Sequence, residues 1–170
     1  MTHPIAEQYE LAITGHVLTT LGPIAYVADM MEATSLAGTG VYSIALQKEG
    51  AILTDQYSWT EGQVASELRD VARAATGLLR ILGVEDPCAL YVEEYERAAV
   101  KHPGMTLDAE GHTDETRFYA LAEEVGEVAA ARTYDNANTT GHNADLISEV
   151  TQVGALALAW LVRYQDGAEQ

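Results

Sequence analysis

The chain has 170 residues and a mass of 18.3 kDa, which is enough for one domain or for two very small ones. Hydrophobic residues make up 48% and charged residues 21%, a balance typical of a soluble globular protein and not of a disordered chain. The formal charge of −17 argues against binding to nucleic acid or to anionic lipid, because like charges repel. An acidic protein that handles phosphates therefore needs bound cations.

No segment has the features expected of a secretion signal or a membrane span. The first residues lack the basic region of a signal peptide. The uncharged stretch 11–28 is interrupted by Gly22 and Pro23, and the apolar run 153–162 is about half as long as a span requires. We therefore expect a cytoplasmic protein that uses neither a membrane nor nucleic acid.

Turn and capping signals predict six helices. Pro23 suits the first position of a helix and opens the second one. A capping-box pattern, Thr60 with Gln63, opens the third, and Thr113 and Asn143 can cap the last two. The predicted helices cover residues 5–21, 23–36, 60–82, 87–101, 113–132 and 143–164.

The segment 37–59 is predicted to be a loop between the second and third helices. Glycine weakens helices, and this segment contains Gly38, Gly40 and Gly50. A short β-ribbon over 42–46 and 51–53 is compatible with its composition. Alanine is abundant throughout the chain and favours closely packed helices, so we expect an all-α fold, a helical bundle.

The fifth predicted helix carries three carboxylates within five residues. Residues three or four apart share a helix face, so Glu124 and Glu127 stand together and Glu123 stands beside Glu127. Valines and alanines are interleaved with them, which places this face close to the core. The sixth helix offers Glu149 and Gln152 at the same kind of spacing, followed by an apolar stretch that must be buried.

Two facing helices can therefore bring these side chains to one point. Clustered carboxylates inside a bundle are the oxygen ligands that Mg²⁺ requires, with Mn²⁺ as an alternative ion. The competing interpretation is an ordinary solvated face, because acidic pairs three residues apart also arise by chance in so acidic a chain. Spacing alone favours that interpretation.

The sequence of this segment resembles that of the MazG-like, all-α nucleotide pyrophosphohydrolases. The resemblance is strongest over residues 97–164, about 40% of the chain. The matching segments are Lys101-His102-Pro103-Gly104, Thr106-Leu107-Asp108, Leu121 to Glu127, and Leu146-Ile147-Ser148-Glu149. The resemblance implies a Mg²⁺-dependent hydrolysis of a nucleoside triphosphate, NTP or dNTP, to the monophosphate and pyrophosphate.

Carried over residue by residue, the resemblance assigns Glu124 and Glu127 as the first two metal ligands and Glu149 as the third. Glu123 matches the acidic residue that positions the attacking water, and it is the catalytic candidate. The fourth ligand of the family is usually Asp, and here Gln152 stands in its place. A Gln carbonyl oxygen can bind Mg²⁺ but brings no charge. We therefore expect weaker metal binding than an Asp at this position would give.

Four further residues are weaker candidates for contacts with substrate. Arg97 and Lys101 can bind phosphate, although each alone is more simply a surface charge at the end of its helix. Asp145, one turn before Glu149, can compensate for Gln152 or can serve as the start of the helix. Trp160 can stack on a base, but an aromatic residue in an apolar helix usually belongs to the core.

The two halves of the chain show similar patterns. The second and third helices carry a candidate second acidic set, Asp29, Glu32, Glu67 and Asp70, against Glu124, Glu127, Glu149 and Gln152 in the other half. A degenerate tandem of two three-helix units, 1–85 and 86–170, would explain the length. The simpler interpretation is one compact domain in which the first unit buttresses the second, because the spacings between the paired motifs differ.

Three functional hypotheses follow. The first is a Mg²⁺-dependent nucleotide pyrophosphohydrolase. The second is a related module that has lost turnover and binds a nucleotide or a protein partner, suggested by Gln152. The third is a helical assembly protein with solvated carboxylates. Apolar helix faces in so alanine-rich a chain also predict a homodimer or a higher homo-oligomer.

Overall fold

The computed structural model describes residues 1–16, 22–133 and 145–166. These ranges contain six α-helices, one short 3₁₀ turn at Asp55–Tyr57 and no strand. The helices are α1 (Pro4–Ile13), α2 (Pro23–Lys48), α3 (Glu61–Ile81), α4 (Pro87–Lys101), α5 (Asp114–Ala130) and α6 (Leu146–Asp166). The prediction of an all-α helical bundle is therefore confirmed.

Four of the helices form the bundle proper. Helix α2 packs against α3 and α5, and α6 packs against the same two helices from the opposite side. Helices α1 and α4 lie against each other and against α6. One cluster of buried apolar side chains runs from Ile5 in α1 to Leu161 in α6. Helices from both predicted halves, 1–85 and 86–170, contribute to this cluster, and the tandem interpretation stays a prediction.

Helix α2 is much longer than predicted, because residues 37–48 are helical and not a loop. The β-ribbon over 42–46 and 51–53 does not form. Two of the three glycines that suggested a loop, Gly38 and Gly40, are instead sites of close packing. A Cβ on Gly38 would lie 2.5 Å from the Phe118 ring, and one on Gly40 would lie 2.6 Å from Trp59 and Val64. Glycine is needed at both positions, because a side chain there would prevent α2 from packing this closely against the neighbouring residues.

The other helix ends follow local capping chemistry. Helix α1 ends at Ile13, because Thr14 is extended and Gly15 has a positive φ of 79°, and residues 17–21 lie outside the described residues. The capping box of Thr60 and Gln63 is present, and Pro87–Lys101 agrees with prediction. Thr113 caps α5, which ends at Ala130 and not at 132. Asn143, the predicted cap of α6, lies outside the described residues.

Helix α6 is the central apolar helix. By length and composition Leu146–Tyr164 is the one described helix that could cross a membrane, and 61% of its most apolar window is buried inside the protein. It contacts α1, α3, α4 and α5. Burial on several sides explains why the helix is apolar around most of its circumference.

Candidate metal centre and ligand cleft

Three carboxylates converge where α5 lies beside α6. Glu124 and Glu127 share one face of α5, and Glu149 stands near the start of α6. One carboxylate oxygen from each lies within 4.8 Å of the other two. Glu124 and Glu127 are half-buried, whereas Glu149 is only 2% exposed. The structure thus brings together three of the four predicted metal ligands.

The helix sequences dictate this burial. On α5, Leu121, Val125 and Val128 are buried and draw the acidic face against the bundle. On α6, Val150 and Val153 flank the Glu149 position and are buried as well. Their burial removes apolar surface from water, and it carries the neighbouring carboxylates inward at an electrostatic cost.

The carboxyl of Glu124 shows this cost directly. Burial is the largest cause, followed by the charges of Glu127, Glu149, Glu123 and Glu94, and together they raise the pKa of Glu124 from 4.5 to about 7. Its Oε2 atom is buried and makes no hydrogen bond with any described residue. A buried carboxylate oxygen without a donor is unfavourable, and a bound cation would satisfy it.

Gln152 lies beside the centre but contributes no charge. Its side-chain Nε2 donates a hydrogen bond of 3.0 Å to Oε2 of Glu149. The fourth predicted ligand position is therefore occupied by an amide that supports a neighbouring carboxylate. Because Gln152 also lines the adjoining cleft, it connects the centre to that cleft.

A cleft of about 460 Å³ opens beside the centre, between α4, the following loop, α5 and α6. Glu123 and Glu124 line it from α5, and Glu123 is exposed. Arg97, Lys101 and His102 line it from α4 and its end, and apolar side chains of α6, Ala155, Leu156 and Ala159, form a further wall. The cleft thus combines carboxylates, cations and an apolar surface, which suits an anionic ligand with an apolar part.

Glu94 is a cleft residue that the sequence analysis missed. It lies on α4, its side chain is 16% exposed, and it accepts two hydrogen bonds from Arg97, 2.7 Å from Nε and 2.6 Å from Nη2. The charge of Glu94 also contributes to the raised pKa of Glu124. The three-residue spacing from Glu94 to Arg97 signalled their pairing, but the packing of α4 beside α5 and α6 was needed to show its position.

Arg117 was missed as well, and it fixes the loop that forms one wall of the cleft. It is 2% exposed and donates to the backbone carbonyls of Leu107, Ala109 and His112 at 2.6–2.7 Å, and to Asp114 at 3.0 Å. Tyr95 on α4 donates to Asp108 of the same loop at 2.8 Å. Burial and this hydrogen bond raise the pKa of Tyr95 to about 12. The loop is therefore anchored to both α4 and α5.

Two of the weaker candidates have structural roles. Asp145 is exposed, and its Oδ2 accepts a hydrogen bond of 3.1 Å from the Ser148 backbone, which makes it the start of α6. Trp160 is fully buried and stacks with Tyr164. Of the two alternatives for Trp160, the structure agrees with the core residue, because a side chain with no exposed surface offers no face to a base. Arg97 and Lys101 do line the cleft.

The candidate second acidic set is less closely grouped. Asp29, Glu32 and Asp70 are exposed, Glu67 is half-buried, and Asp70 pairs with Arg73 at 2.6 Å. Burial and the charges of Asp70 and Glu32 raise the pKa of Glu67, so these three lie near one another. Among the described residues, convergence to metal-ligand distances is found at Glu124, Glu127 and Glu149.

The donor set fits a hard divalent cation. It consists of carboxylate oxygens, and Oε2 of Glu124 is buried without a donor among the described residues. Comparison of the chain with models of protein families, with characterised proteins and with solved structures finds no match.

Proposed function

We propose that the protein hydrolyses a nucleoside triphosphate, NTP or dNTP, to the monophosphate and pyrophosphate with the help of Mg²⁺. The observation that supports this most is the convergence of Glu124, Glu127 and Glu149 within 4.8 Å. They converge beside a cleft that is also lined by cationic side chains. The spacing of these acids is that of the MazG-like pyrophosphohydrolases, which the segment resembles. The helical architecture agrees with that class of enzyme but does not distinguish it from other bundles.

Different residues of the chain have different roles in the proposed reaction. A divalent cation held by Glu124, Glu127 and Glu149 would neutralise phosphate charge and lower the pKa of a bound water. Glu123, exposed at the cleft, would accept a proton from the water that attacks phosphorus. Arg97 and Lys101 supply positive charge to the phosphates of a substrate in the same cleft.

The apolar wall of the cleft suits the other end of a nucleotide. Leu156 is partly exposed, and Ala155 and Ala159 are small, so this side of α6 gives the cleft an apolar lining. An apolar lining in the same cleft as cationic side chains and carboxylates is the combination expected for a ligand with a flat base and a charged phosphate chain.

Release of pyrophosphate from a panel of NTPs and dNTPs, with Mg²⁺ and then with Mn²⁺, tests the proposal. We expect metal-dependent release that falls by at least about 100-fold in Glu127→Gln, because the cation loses a ligand. Glu115→Gln, an exposed acid on the same helix, is the matched control and should retain activity. Release of inorganic phosphate alone, or release that does not need a metal, would contradict the proposal.

A second candidate function is a related module that binds a nucleotide or a protein partner without turnover. Gln152 favours it, because the amide brings no charge and its nitrogen is engaged with Glu149. A folded protein that binds Mg²⁺ and nucleotide but releases no pyrophosphate from any member of the panel would support this candidate. A protein that binds no metal would support a solvated acidic face instead.

A further inference from the structure

In the MazG-like pattern that the segment resembles, an Asp stands where this chain has Gln152, so the candidate centre has one carboxylate fewer than that pattern. Three carboxylates, from Glu124, Glu127 and Glu149, converge there, and Gln152 donates to Glu149 from the next turn of α6. Each carboxylate near a divalent cation adds to the attraction that holds it. A neutral amide at the fourth position therefore leaves the ion less well compensated, unless another element supplies a charge.

Helix α4 brings a carboxylate to the same cleft. Glu94 lines it together with Glu123, Glu124 and Gln152. Its side chain is only 16% exposed, and α4 packs directly against α6, the helix that carries Gln152. Glu93, its neighbour along the chain, is exposed and does not line the cleft.

Glu94 is paired with an arginine on its own helix. Arg97 donates to both carboxylate oxygens of Glu94, yet its own side chain is 52% exposed. The pair is bidentate, and the exposed guanidinium is open to other anions that enter the cleft. A divalent cation held near Glu124 would compete with the guanidinium for Glu94, and a phosphate in the cleft would offer the guanidinium another anion.

We propose that Glu94 is a positioning residue that supplies a further negative charge beside the metal centre, in place of the charge that Gln152 does not provide. The inference rests on the proposed function, because it assumes that the centre binds a divalent cation. It assigns Glu94 no direct contact with the reacting atoms. Its effect is on how tightly the carboxylates of α5 and α6 hold the ion.

Titration of the metal-free full-length chain with Mn²⁺ at pH 8 tests this role. We expect Glu94→Gln to weaken Mn²⁺ binding about threefold to tenfold, the effect of removing one charge beside a divalent ion. Glu93→Gln, the matched control, should change the affinity less than about twofold. Glu94→Asp keeps the charge and should remain close to the wild-type affinity. Thermal unfolding of each variant checks that the chain is folded.

A double-mutant cycle with Gln152→Asp tests whether Glu94 compensates for the amide. Gln152→Asp should tighten Mn²⁺ binding, and in that background Glu94→Gln should cost less than about twofold. Equal losses in the two backgrounds would overturn the compensation, as would equal affinities for Glu94→Gln and Glu93→Gln.

The Mn²⁺-binding results that would contradict the role of Glu94 differ from those that would contradict the proposed function. If the wild-type chain binds Mn²⁺ and Glu127→Gln does not, while Glu94→Gln binds as well as wild type, the metal centre stands and the role of Glu94 falls. If the wild-type chain binds no Mn²⁺, both are overturned.

Discussion

At the scale of single residues, Glu124 carries the clearest electrostatic signature. Its pKa is raised from 4.5 to about 7 by burial and by four neighbouring carboxylates. Between these two pH values the folded state binds a proton that the unfolded state releases. The metal-free fold is therefore stabilised by this proton at low pH, and the stabilisation is lost as the pH rises through 7.

This linkage predicts how the melting temperature of the EDTA-treated protein depends on pH. Comparing wild type with Glu124→Gln, we expect the contribution of Glu124 to decline from pH 5 to pH 7 and to level off above it. The variant lacks that group and should show a flatter profile. Saturating Mg²⁺ should reverse the trend in the wild type, because the cation binds the ionised carboxylate. Parallel profiles for the two metal-free proteins would show that Glu124 is not the titrating group.

The buried Arg117 is a residue whose role is structural. Its guanidinium holds three loop carbonyls and Asp114. Arg117→Met would leave those acceptors without their donor, and we expect a loss of about 2–4 kcal/mol in the free energy of unfolding. Chemical denaturation measures it. Arg132→Met, at an exposed position just beyond α5, should change stability by less than about 0.5 kcal/mol.

Hydrogen exchange separates a local effect from a global one. Amides of residues 107–112 should exchange faster in Arg117→Met even where the helices remain protected, because the loop loses its anchor on α5. If loop and helix amides lose protection to the same extent, Arg117 would act on the whole fold and not on the wall of the cleft.

At the scale of elements, glycines determine how closely the helices approach. Gly38→Ala would place a methyl group 2.5 Å from the Phe118 ring, and we expect a loss of about 1–3 kcal/mol in the free energy of unfolding. Gly126→Ala is the matched control, because its Cβ meets no atom within 4 Å in the middle of α5. That change should stabilise the protein by about 0.5–1 kcal/mol. Equal effects would contradict the packing account.

The same glycines explain what the sequence could and could not predict. Local chemistry predicted the helix starts at Thr60, Pro87 and Thr113, because capping requires only nearby residues. It was wrong over residues 37–48, because Gly38 and Gly40 were interpreted as helix breakers. Their function depends on Phe118 and Trp59, and those contacts exist only once the helices are packed.

The residues of the candidate site also fall into two groups, those that local spacing predicted and those whose position depends on packing. Spacing within one helix predicted that Glu124 and Glu127 share a face, and the motif order suggested that Glu149 joins them. The position of Glu94 depends on how α4 packs, and the role of Arg117 depends on a loop with no regular pattern. Neither is encoded in a local period. The burial of Trp160 followed from its apolar helix, and the alternative that treated it as a core residue was the better one.

At the scale of the whole molecule, the charge of −17 makes cation binding a matter of stability as well as of chemistry. We expect Mg²⁺ at about 100 times its dissociation constant to raise the melting temperature by about 5–10 °C. NaCl at equal ionic strength should raise it less, because it screens charge without occupying the centre. Glu127→Gln should respond equally to the two salts. An equal response in the wild type would indicate screening alone.

The central claim is that Glu124, Glu127 and Glu149 bind one divalent cation. Anomalous scattering from a crystal grown with Mn²⁺ tests it most directly, because the signal locates the ion without reference to activity. The account predicts an anomalous peak among these three carboxylates, with oxygen distances of about 2.0–2.3 Å. No peak at this position in Mn²⁺-saturated crystals, or one only at surface acids such as Glu32 and Asp70, would contradict it.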